Sequence, residues 1–512
     1  MTTINSRAVV LVALCAASGC ADTDEATSLQ SSDEAAVAEH GAPGVIRGTD
    51  FNRHRLTGGR VELKPVDLHS TPIEAQVERD GDFDVHPGTG NADGTFEIAG
   101  VPRGLKYWLR VGTNWYLTRE RVVDVGIDAL GRPDAIGATA GTSLVFDVDG
   151  LTPVTSGDDF QIEAPDAQIG FYSTASLSNP IAANAPNPGD TSLDGTVFPF
   201  AADAAAGTIQ FPLIQASRGD RLTLAQLTTL QAGSVTYQSL SRALTTSVEM
   251  TQGAATTVHG TLTAPPSALV HLDYRQAAYE ALADGIHPGT VPGGPTIFVD
   301  ASPGGRRVNL GTPDLAVVVL PPGGDTQVLP LSVRNPYPAS WPLFASTGTT
   351  FQVPFVGVAE DGSPIVRQTA SSMAAWEFVD RGHVTLAPVI SPVRDLSIDG
   401  KPATDQILPS TATPLVTWER PRHGSPAAYV VRIVHVLPQA PFRQGGIARL
   451  VVTPDIHSVR IPAGVLLPGE HYYFTVLTVA SSEPRSREQL DIMLVPPRAQ
   501  FIDAFSSTIR VE

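Results

Sequence analysis

Few residues in this chain carry chemistry by type and spacing, and most of them are carboxylates. Asp80, Asp82 and Asp84 alternate as the opening of a calcium loop does. An EF-hand needs Gly at its sixth position and Glu at its twelfth. Here those positions hold Val85 and Asn91, so the run reads as a solvated acidic loop. Asp147, Asp149, Asp158 and Asp159 form a second acidic group around a Gly-Leu-Thr-Pro turn. Oxygen ligands beside a turn suit Ca²⁺, which makes these four the candidate metal ligands, against the plainer reading of a polar loop edge. His271 and Asp273 share a strand-to-helix junction with no nucleophile in view, the arrangement of a cap more than of a dyad. The chain contains no Gly-x-Ser-x-Gly elbow, no His-Glu-x-x-His pair and no Gly-x-x-x-x-Gly-Lys loop. No cofactor is expected. A carboxylate pair for glycoside hydrolysis is set by separation in space, which spacing along the chain does not give.

The remaining chemistry is at the beginning. Arg7 precedes a short apolar run over residues 8–16, followed by Ala17-Ser18-Gly19-Cys20. A membrane-spanning helix needs about 20 apolar residues, so the run is too short to be one. It resembles a bacterial lipoprotein signal peptide with its lipobox. The resemblance implies cleavage before Cys20 and lipid attachment to Cys20, making membrane lipid the first expected partner. Cys15 and Cys20 are the only cysteines, so the mature chain would hold neither a free thiol nor a disulfide. Ala17 departs from the family, where Leu is commonest three residues before the cysteine. Ala21 stands where Asp favours inner-membrane retention in the best-known members, which leans towards the outer membrane, on its periplasmic or surface face.

The elements that would position any site are strands. Gly and Pro number 46 and 43 of 512 residues, together above the usual ~12%. Turn residues in such excess imply many short strands. The formal net charge of −18 argues against a nucleic-acid partner, because phosphate binding needs a basic face. Residues 20–44 are acidic, small and without aromatics, the composition of a disordered tether.

Four β units follow. In 45–126, Val61 and Leu63 alternate, as do Phe96 and Ile98, and Tyr107, Leu109 and Val111, which predicts one buried face per strand. Gly44-Val45-Ile46-Arg47-Gly48, Gly58-Gly59-Arg60-Val61-Glu62-Leu63 and the run from Asp93-Gly94-Thr95-Phe96 to Pro102-Arg103-Gly104 together resemble a carboxypeptidase regulatory-like domain, a transthyretin-like β-sandwich. On that resemblance the segment 64–92 is an insertion. Residues 127–266 and 267–389 are β regions of no recognised family; the second carries one helix over 273–283, with Asp273 as N-cap and Gly285 as its end. In 390–512, Trp418 and the run Leu466-Leu467-Pro468-Gly469-Glu470-His471-Tyr472 resemble a fibronectin type III domain, whose corner tyrosine bonds back to the backbone. A long loop over 483–505 exceeds what that family needs. It carries Arg485, Arg487, Met493, Arg498 and Phe501, residue types favoured at contact surfaces.

The expected fold class is all-β, with tandem sandwiches strung outward from the membrane over more than ~100 Å. The expected function is a non-enzymatic envelope lipoprotein that binds protein or polysaccharide or serves as a surface scaffold. The alternative is a lipid-anchored hydrolase with its site within 127–389.

Overall fold

The computed structural model describes residues 43–174, 183–204, 207–303, 305, 312–359, 363–404, 408–436, 444–481, 488–490 and 499–512. Cys20, the tether before Pro43, and Arg485, Arg487, Met493 and Arg498 lie outside these residues. The chain is all-β, 59% strand and 4% helix, in tandem sandwich units.

In the first unit, Pro43–Thr49 pairs antiparallel with Thr95–Pro102 and parallel with Val122–Asp124. Gly48 lies opposite Phe96, and a Cβ there would sit 2.1 Å from the Phe96 ring, so only glycine lets the ring cross the strand. Ile46, Phe96, Ile98, Tyr107, Leu109 and Val111 form the expected core. Two expectations change. The segment 64–92 is no insertion: Ile73–Arg79 and Asp82–Gly90 form a hairpin within the sheets, joined to Tyr107–Val111 on one side and Thr95–Pro102 on the other. Val61 and Leu63 are exposed (43% and 60%), whereas their neighbour Lys64 is buried and donates from Nζ to the Pro133 carbonyl at 2.7 Å.

The last unit is a two-sheet β-sandwich. One sheet orders Lys401–Pro402, Arg394–Ile398, Leu415–Glu419 and Ser458–Arg460. The facing sheet pairs Gln444–Val452 with Ala428–Val436, then His471–Ser481, then Ala499–Phe505. Trp418 and Tyr472 meet in one core, and the Tyr472 hydroxyl accepts the Leu467 backbone N–H at 3.1 Å. Phe501 is no loop residue: it lies in Ala499–Phe505, paired with Val479 of His471–Ser481.

The units do not string out. Arg449, Leu450 and Val451 pair in parallel with Asn114, Trp115 and Tyr116, which fuses the last unit's sheet to the first unit. Gln500 and Phe501 pair with Ala375 and Ala374 of Pro364–Phe378, fusing it to the third. Tyr237, Gln238 and Ser239 pair with Val318, Val317 and Ala316, joining second to third. Asp128–Leu130 pairs with Phe51–Arg55, and Asp166 accepts from Thr57 N and Oγ1 at 2.8 and 2.6 Å, joining first to second. Side chains lock these seams. Gln76 exchanges two hydrogen bonds with the Ala463 backbone. Gln500, 1% exposed, accepts from Val389 and Ile390 N–H and donates to the Ile390 carbonyl.

Strand pairing therefore replaces the exposed linkers that an extended array requires. Solution scattering on residues 43–512 should give a radius of gyration of about 23 Å, the compact value for ~470 residues. A value of about 40 Å, that of four domains in a row, would contradict the pairing.

The helix expected in the third unit starts later than its sequence suggests. Asp273 and Tyr274 remain in the strand Ser267–Arg275, held by nine paired positions with Thr326–Arg334. Helix begins only at Gln276–Glu280, with Arg275 as N-cap, and a second turn covers Ala283–Ile286. Tertiary sheet pairing outweighs the capping preference of Asp273. Among the described residues no helix is long and apolar enough to cross a membrane.

Candidate functional site

The structure separates most of the sequence candidates. Asp80-Gly81 is the two-residue turn of the hairpin Ile73–Arg79/Asp82–Gly90, with φ of 52° and 88°. Both angles lie in the left-handed region that a type I′ turn requires. Asp84 pairs with Arg79 at 2.8 Å.

Asp147 and Asp149 lie on Ser143–Asp149, in a different sheet from Asp159. Asp147 accepts the Gly195 N–H at 2.7 Å. Asp149 is exposed. Asp158 accepts from Thr155 Oγ1 and Gln226 Nε2 at 2.7 and 2.9 Å, and buried Asp159 accepts from the Ser173 and Thr174 hydroxyls. The four therefore do not converge, and three of them are engaged in turns and hairpins. Among the described residues no three His, Cys, Asp or Glu side chains come together as a metal-holding group. His271 and Asp273 project from one face of their strand, Asp273 bound to Arg275 at 2.7 Å. Phe501 packs at 5.1 Å against the Trp376 ring, within the seam between third and last units.

Sequence reading missed a buried acidic cluster between the second and third units. Glu163 on Asp159–Ala164 is wholly out of solvent, and neither carboxyl oxygen has a hydrogen-bond partner among the described residues. The Tyr337 hydroxyl lies beside it, also buried and without hydrogen-bond geometry. Asp300 lies against Asp314, both under 10% exposed, and takes Thr312 Oγ1 at 3.2 Å. Gln161 ties the units together, donating to Asp314 Oδ2 at 3.0 Å and accepting the Asp314 N–H at 3.2 Å. Burial pushes the Glu163 carboxyl up to about 8, with the Asp314 and Asp159 charges adding to it and Tyr337 opposing. Burial, then Asp314, holds Asp300 well above the usual carboxylate range. At about 8, Glu163 keeps its proton at neutral pH. The Glu163, Asp300 and Asp314 side chains are all buried. The strand Asp159–Ala164 reads DFQIEA, polar and apolar residues in alternation, so its sequence looks half-exposed although all six residues are buried.

A cavity of about 260 Å³ opens nearby, between the turn 56–59 of the first unit and the third unit. Arg55, Thr57, Gly58, Ser340 and Trp341 line it. Tyr337 stacks on Trp341 at 4.9 Å and 11°, which fixes the indole at the cavity wall. Two of its polar groups already have partners: Arg55 is held by Asp128 at 3.0 Å and the Thr57 hydroxyl by Asp166.

No family model matches the chain, and no curated protein matches it. Among solved structures it is similar to the FN1-FN3 domains of chicken CNTN1, at 9% identity over 90% of this chain and 99% of that one, with a TM-score of 0.13. It is also similar to a Ca²⁺-stabilized adhesin that helps an Antarctic bacterium bind ice, at 11% identity over 92% and 100%, with a TM-score of 0.14. A tetra-tandem repeat in the extending region of a large adhesion protein gives 10% identity over 92% and 100%, with a TM-score of 0.14. These superpositions are poor, so the fold assignment rests on the chain's own strands and cores.

Proposed function

We propose that this chain is a lipid-anchored envelope protein without catalytic activity, whose four β units form one rigid platform that binds protein or polysaccharide. The observation that carries the reading is the strand pairing that crosses every unit boundary. Shared sheets suppress the relative motion expected of domains joined by linkers, which suits a scaffold holding a surface in fixed orientation. The cavity beside Trp341 lies between the first and third units and is the first place to look for a ligand. The residues around Cys20 support the anchor, and Ala21 supports the outer membrane. In this reading 45–126 is a carboxypeptidase regulatory-like sandwich, a type of module that accompanies binding and adhesion.

Cys20→Ser tests the anchor. The variant should move from the membrane pellet to the soluble fraction and lose its partition into detergent. Unchanged partitioning would remove lipidation from the proposal while leaving the platform intact. The platform itself fails if the scattering experiment returns an extended array.

A further inference from the structure

We propose that the outer face of the third unit carries a two-histidine site for a divalent transition metal, with His271 and His383 as its protein ligands. The strand His383–Leu386 runs parallel to Ser267–Arg275 and pairs His271 with His383, Leu272 with Val384 and Asp273 with Thr385. Val270, Leu272, Val384 and Leu386 are buried, so alternation turns both histidines outward, and both are exposed. Residues paired in register on neighbouring strands lie about 5 Å apart. Imidazoles starting from that separation reach one ion at the usual ~2.0–2.1 Å.

The backbone beneath the pair is fixed. His271 N–H donates to the Gly382 carbonyl at 2.7 Å, and Asp380 and His383 exchange backbone hydrogen bonds across the turn that begins the strand. A chelate built on paired strands loses little freedom on closing around an ion. Asp273 stands two residues along on the same face. Arg275 holds its Oδ2, and Oδ1 has no hydrogen-bond partner among the described residues. That oxygen is itself out of solvent, so the carboxylate contributes negative charge beside the imidazoles and no ligand atom.

Two nitrogen ligands select the chemistry. Imidazole suits Cu²⁺, Ni²⁺ and Zn²⁺, with Cu²⁺ the tightest, whereas Ca²⁺ and Mg²⁺ take oxygen. Water would complete the coordination, which leaves positions open to a further ligand.

The test is titration of residues 21–512 with Cu²⁺, Ni²⁺ or Zn²⁺ alone, followed by calorimetry and, for Cu²⁺, by its electron paramagnetic resonance spectrum. Wild type should bind one ion per chain with a two-nitrogen signature. His271→Ala and His383→Ala should each weaken binding by about tenfold or more, and thermal melts should show both variants folded, because the positions are exposed. Asp273→Asn should weaken binding less. Absence of binding by wild type at millimolar metal overturns the proposal. Retention of wild-type binding by either variant also overturns it, since a two-ligand chelate needs both.

Discussion

Trp418→Ala should unfold more than the module it belongs to. Trp418 is 3% exposed and packs edge-on to Tyr429 at 5.4 Å. Removing a buried aromatic of this size costs about 3–5 kcal/mol. Independent modules would confine the loss to 390–512. Here the same core contains Trp108 and Trp115 of the first unit. The first unit's core in turn contains Ala428, Val430, Val451, Leu477 and Val479 of the last. Amide hydrogen exchange should therefore accelerate in Tyr107–Val111 and Asn114–Thr118 together with Ala428–Val436. The separate core built from Leu144, Phe146, Phe198 and Leu224 should keep its protection. Acceleration restricted to the last unit would show that the seam contributes no cooperativity.

Glu163→Gln should flatten the dependence of stability on pH. In the unfolded chain this carboxyl ionises near its ordinary 4.5, and in the folded protein near 8. Below the lower value both states are protonated and the group has no effect. Between the two values the unfolded state gives up its proton while the folded state keeps it, so stability falls by up to ~1.4 kcal/mol per pH unit. Above the higher value both are ionised and the loss is complete, on the order of 3–5 kcal/mol. Glutamine has the same shape and no charge to bury. Urea titrations between pH 4.5 and 9 should show a shallower decline for the variant than for wild type. The two should differ least at the acid end and most at pH 9, where the loss levels off. Asp300 leaves a residual slope in both, because it too is held above the carboxylate range. Parallel declines would mean that Glu163 ionises in the folded protein as it does in water.

Alternation and turn residues make the strand character legible in the chain itself. Phe96, Ile98, Tyr107 and Leu109 are buried where period two puts them. The corner around Tyr472 has its expected hydrogen bond because a short local motif specifies it. The helix starts past its sequence signal because Asp273 is a capable cap whose backbone is already claimed by Thr326–Arg334. Leu63 and Lys64 exchange their expected places for a similar reason: a carbonyl from a different region, Pro133, accepts from the ammonium.

The sequence by itself determined the all-β class, many of the turns and most of the inward residues named for the first and last units, since these depend on neighbours within a few positions. Only the tertiary structure decided that the sandwiches share sheets. Edge pairing uses backbone N–H and C=O groups that every residue but proline possesses in full, so it leaves almost no mark on composition. One mark is present. His471–Ser481 is apolar on both faces, broken inside only by Thr475 and Thr478, and both faces are buried: Tyr472, Phe474 and Val476 in its own core, Tyr473 and Ala480 against the third unit, Leu477 and Val479 against the first. A run without alternation is the pattern of a strand covered on both sides. The partners that cover it come from residues hundreds of positions away, and only folding brings them there.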